Sequence, residues 1–86
     1  MNQIQDPNNY EVARYMRQMR HDKSLSRDTL AYRSSVGFQS IRSYETGRTL
    51  PGLANLWRLC DTLDVSMDEF TGFDQYRRER GPRLPQ

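Results

Sequence analysis

Apolar residues recur at three- and four-residue intervals between Val12 and Phe73, the spacing that lines one face of a helix. Val12, Ala13, Met16 and Met19 define such a face over Tyr10 to about Lys23, with Arg14, Arg17 and Gln18 on the polar side. Asp6, Pro7, Asn8 and Asn9 supply the start, since short polar side chains cap exposed amides and proline suits a first turn. Ser26 is placed to cap a second helix that ends near Ser34, and Asp28 suits its positive end. Val36 and Gly37 interrupt the pattern. A third helix is predicted from Phe38 to about Glu45, stopped by Thr46 and by Gly47 in a position that tolerates left-handed backbone. After a loop over 48–52 that contains Pro51, a fourth helix carries a stripe of Leu53, Leu56, Leu59, Cys60 and Leu63. Ser66, Met67, Asp68 and Glu69 read as a capping box, in which the serine serves one amide and Glu69 reaches back to another. It opens a fifth helix through Phe70, a core residue, to about Phe73.

The expected fold is therefore all-α, a bundle of five short helices. With 86 residues the chain supports one thin core. Residues 1–8 are predicted to be a flexible N-terminal segment, 9–73 the domain, and 74–86 a basic flexible tail without a core-forming pattern. The single cysteine, Cys60, cannot form an intrachain disulfide, and no apolar stretch resembles a signal peptide or membrane span. A cytoplasmic setting without membrane contact is expected. His21 and Cys60 provide no zinc ligand set, and there is no phosphate loop or paired-carboxylate motif. The sequence thus offers no catalytic residues, no metal site and no cofactor.

Residues 25–51, LSRDTLAYRSSVGFQSIRSYETGRTLP, carry a more specific signal. This segment resembles the helix-turn-helix of the lambda-repressor-like (XRE) family, with the unit proper over about 26–46. The resemblance extends backward through VARYMRQMRHDK and forward through LANLWRLCDTLDVSMDEF. Its pattern has physical reasons: Ala31 is small where the second and third helices approach, while Leu30, Val36, Ile41 and Tyr44 seat the unit on the core. Four positions depart from it. Arg27 stands where glutamine is common, Ser34 where leucine is common, and Ser35 where glycine often makes the turn; Gly37 also replaces a usual serine-type cap.

The resemblance implies a sequence-specific, double-stranded-DNA-binding transcriptional regulator, read as a repressor, with the helix around 38–46 in the major groove. With Ile41, Tyr44 and Glu45 turned inward, Gln39, Arg42, Ser43 and Thr46 face outward, and Phe38 and Ser40 lie near the leading end. Phe38, Gln39, Ser40, Arg42 and Ser43 are the base-contact candidates. Gln39 suits adenine, Arg42 either a guanine or a phosphate, and Phe38 either a thymine methyl or the core. Arg27, Arg48 and Thr49 are placed by the resemblance beside the phosphate backbone. It also implies an ion pair between Arg20 and Glu45 that fixes the recognition helix to the scaffold, against the alternative of two ordinary surface charges.

Charge distribution agrees with that orientation. Residues 1–51 carry eight cationic and five acidic side chains, 52–73 carry one and four, and 74–86 carry four and two. The acidic middle segment is expected to face away from DNA. So small a domain doubles its contacts by binding an inverted repeat as a homodimer, with half-sites about one helical turn apart. Trp57, Phe73 and Tyr76 are the interface candidates, unless they close the core. On DNA the protein would be nucleoid-associated. The competing reading is a protein-binding regulator, an antitoxin or a phage accessory factor, that uses the same fold toward a protein partner.

Overall fold

The computed structural model describes residues 8–81. These residues form helices α1 (Asn9–Asp22), α2 (Arg27–Ser34), α3 (Phe38–Glu45), α4 (Leu53–Leu63), α5 (Met67–Thr71) and α6 (Phe73–Arg80), and no strand. Most of the predicted N-terminal segment 1–8, with Asp6 and Pro7, lies outside the described residues, as do the last five positions of the predicted tail.

The starts of α1, α2 and α5 follow the predicted capping chemistry. Asn8 Oδ1 accepts the Glu11 amide, Ser26 Oγ that of Thr29 and Ser66 Oγ that of Glu69, each at 2.9–3.1 Å. At the capping box only the serine half is present among the described residues. The ends are closed by left-handed residues. Ser24, Gly47 and Asp64 have φ of 56°, 79° and 55°. After each, the next amide returns to a carbonyl five residues back, from Leu25 to Arg20, Arg48 to Ser43 and Val65 to Cys60.

α1 packs on α3 and α5, α2 on α3 and α4, and α4 on α5. Met16, Leu30, Ile41, Leu59, Leu63 and Phe70 meet at the centre and are fully buried. Burial of each such side chain contributes about 1.5–3 kcal/mol before conformational entropy is counted. All four apolar residues of the α1 face are buried, and so are Leu30, Val36, Ile41 and Tyr44 of the helix-turn-helix. Ser34 is buried too, and its hydroxyl accepts the Val36 amide at 3.3 Å, so that serine supplies a turn contact where an aliphatic residue would supply only volume.

Two expectations are corrected. Leu53 does not join the core: it is 59% exposed, because at about 100° per residue it falls at the edge of the α4 stripe, next to Trp57. The described residues form six helices, not five. Gly72, with φ 77°, stops α5, and α6 runs through residues read as tail. α6 buries no residue, and local contacts support it: Gln75 Nε2 donates to Glu79 at 2.8 Å, Phe73 stacks on Tyr76, and Arg77 lies over the Phe73 ring.

Candidate nucleic-acid interface

α3 is held on its inner side by three kinds of contact. Ile41 and Tyr44 enter the core, and the Tyr44 hydroxyl accepts from Asn55 Nδ2 of α4 at 2.9 Å. At its end the Glu45 side chain is fully buried and meets two arginines. Arg20 Nε donates to Oε2 at 2.8 Å and Arg20 Nη2 to Oε1 at 3.1 Å, a two-pronged pair whose third donor, Nη1, reaches the Leu25 carbonyl. Removing one member of such a buried pair costs about 3–5 kcal/mol, because the other charge is left unpaired. Arg27 Nε adds a bond to Glu45 Oε1 at 2.9 Å, and Arg17 Nη1 donates to the Glu45 carbonyl.

The outer side of α3 is open. Gln39 and Arg42 are exposed, and Phe38 is 37% exposed at the first turn, away from the core. Ser40 and Ser43 are half-buried. The entry residue Gly37 provides no side-chain cap. Arg48 and Thr49 are exposed on the following loop, which is tied back to α3: both amides donate to the Ser43 carbonyl, and the Ser43 and Thr49 hydroxyls share a bond of 2.8 Å. Gly47 permits that return and also admits the Tyr10 ring, which lies 3.4 Å from where a Cβ would stand.

Among the described residues the only salt bridges are the two at Glu45, so Arg42 and Arg48 carry charge that no carboxylate neutralises. Arg27 sits at the first position of α2 with its side chain 37% exposed, and part of its donor set is engaged by Glu45. Trp57 is 59% exposed and Phe73 45%, whereas Tyr76 is half-buried; Phe73 and Tyr76 stack together on α6, and Trp57 lies on α4 beside Leu53.

Sequence reasoning missed Arg17, Asn55 and the second arginine on Glu45. Their partners lie 28, 11 and 18 positions away, and no local spacing encodes such contacts. Cys60 is buried between α4 and its neighbours, and burial pushes its thiol pKa up.

Residues 11–71 match the model of a helix-turn-helix domain family. An uncharacterized transcriptional regulator encoded in the ATPase CF(0) region of Rhodospirillum rubrum is 37% identical over 59 residues, which are 69% of this chain and 55% of that protein. The chain thus spans about half the length of this curated relative. Among solved structures, the restriction-modification controller protein C.AhdI from Aeromonas hydrophila superposes with a TM-score of 0.69 at 27% identity, covering 72% of this chain and 94% of that one. An HTH_3 family transcriptional regulator from Vibrio cholerae gives the same TM-score at 26% identity, over 77% of this chain and 37% of that one. With a family match over residues 11–71 and a fold shared with these regulators, the chain belongs to the lambda-repressor-like (XRE) helix-turn-helix family.

Proposed function

We propose that this protein is a transcriptional regulator that binds double-stranded DNA in a sequence-specific manner, with α3 in the major groove. The observation that carries the reading is the two-sidedness of α3. Its inner side is fixed by Tyr44–Asn55 and by the Glu45 ion pairs, while Gln39 and Arg42 project without partners among the described residues. A rigid helix with an open amide and an open guanidinium is what base-edge recognition needs. Phe38, Ser40 and Ser43 complete the base-facing set; Arg27, Arg48 and Thr49 approach the backbone. Similarity to the Rhodospirillum and Vibrio transcriptional regulators and to the Aeromonas controller protein supports the same function.

The working form on DNA is a homodimer over an inverted repeat, acting as a repressor from the cytoplasm. Trp57, Phe73 and Tyr76 supply its apolar contact, with Leu53 beside Trp57. Selection from random duplexes tests the proposal: a common, inverted-repeat sequence is expected, with affinity that falls as salt rises. Failure to enrich any sequence, together with stoichiometric capture of one protein partner, would replace it with the antitoxin-like or accessory-factor reading.

A further inference from the structure

The carboxylate of Glu45 is shared between two helices. Oε2 is taken by Arg20 of α1, while Oε1 receives both Arg20 Nη2 and Arg27 Nε, the latter from the first residue of α2. Arg27 thereby commits its inner donor to Glu45, and no bond from its Nη1 or Nη2 is formed among the described residues. A guanidinium is a rigid planar fork, so holding Nε on Glu45 narrows the directions in which the other two nitrogens can point. The side chain is 37% exposed, which leaves that outer edge accessible. Arg17, on the Glu45 carbonyl, brings a third cation to the same residue. One carboxylate among three guanidiniums leaves a surplus of positive charge where α1, the start of α2 and the end of α3 converge.

We propose that Glu45 is a positioning residue for a phosphate site, in which Arg27 holds a DNA backbone phosphate through its Nη groups while Nε stays on Glu45. The inference rests on the DNA-binding reading above and adds how one contact is built. The backbone clamp and the recognition helix are joined through a single carboxylate, so a phosphate seated on Arg27 also sets the position of α3 against the duplex. Charge alone does not suffice at this position, because an ammonium has no planar fork.

The experiment compares wild type, Arg27→Gln and Arg27→Lys for binding to a short mixed-sequence duplex at stepped salt, with thermal unfolding of each protein alongside. Because residue 27 is partly exposed, both variants are expected to fold. Arg27→Gln is expected to lose about tenfold in affinity and to lower the salt slope by about 1 per bound chain. Arg27→Lys, which keeps the charge, is expected to recover less than half of that loss on a logarithmic scale. Lysine binding as tightly as arginine would overturn the positioning role while leaving DNA binding intact. Unchanged affinity and slope in Arg27→Gln, with lowered stability alone, would reduce Arg27 to a brace and overturn it equally. A wild-type chain that does not bind the duplex at any salt removes the DNA-binding reading and this inference with it.

Discussion

The hydroxyls of Ser43 and Thr49 lie 2.8 Å apart and share a hydrogen bond that joins the last turn of α3 to the loop leaving it. The Arg48 and Thr49 amides both donate to the Ser43 carbonyl, so the loop is pinned to the helix it follows. One hydroxyl must accept, and it keeps its own proton to offer outward. Ser43→Ala and Thr49→Ala are each expected to lower stability by about 0.5–1 kcal/mol, and the double variant by little more than either. Urea unfolding of the four proteins measures this; strictly additive losses would mean that the two hydroxyls do not act as a pair.

The turn between α2 and α3 holds Ser35 at φ 59°, a left-handed backbone that a residue with a Cβ adopts only at a cost. Ser35 is exposed, and its side chain makes no hydrogen bond among the described residues. Ser35→Gly, which restores the residue common at this turn, should raise stability by about 0.5–1 kcal/mol, the relief of strain outweighing the added freedom of the unfolded chain. A urea midpoint that stays constant or falls would show that the turn is not strained at this residue.

How far the sequence reaches is visible in these two places. The limits of α2 and α3 could be read because Ser26 and Gly47 act through bonds to amides and carbonyls within five residues, and such contacts survive any tertiary arrangement. The core could be read for a similar reason, from the helical period. Leu53 could not, since a stripe of leucines does not say where its partner helices stop covering it. α6 escaped notice because it lacks an apolar face and is held by Gln75–Glu79 and the Phe73–Tyr76 stack. At the site, the outward residues of α3 follow from its inward ones. The second arginine on Glu45, Arg27, depends on how two helices cross and has no local signature.

Gln39 and Arg48 are expected to differ in what they contribute to binding. Gln39 is exposed on α3, where an amide can read one base, and its loss should relax discrimination at one position by about 1–3 kcal/mol. Arg48 is exposed on the loop and pairs with no carboxylate among the described residues. Arg48→Ala should weaken every sequence alike and reduce the salt slope by about 1. Titration against a panel of duplexes differing at single positions separates the two effects. Indistinguishable profiles from both variants would refute the division into base and backbone contacts.

Cys60 offers a probe of opening in the native state. It is buried in the core, and burial raises its thiol pKa, so both access and thiolate content are low in the folded chain. Alkylation at neutral pH should be slow in native buffer and fast in urea, with the native rate rising in variants that lower global stability. Rapid native labelling would show that the α4 face at Cys60 opens independently of the rest of the core.

Trp57 and Leu53 stand one turn apart on α4, each 59% exposed, an arrangement that leaves two large apolar side chains facing water in an isolated chain. Association through this face would cover both. Trp57 is the only tryptophan, so its emission reports on the patch directly. Raising the protein concentration should shift that emission to shorter wavelength in step with the increase in mass seen by sedimentation. Trp57→Glu should weaken self-association by about 2 kcal/mol or more, since a buried aromatic anchor is lost and a charge would have to be desolvated in its place. Affinity for a two-half-site duplex should fall with it, while affinity for a single half-site is retained. If mass and two-site affinity stay constant in Trp57→Glu but fall in Phe73→Glu, the contact between copies lies on α6 and the α4 patch is not part of it.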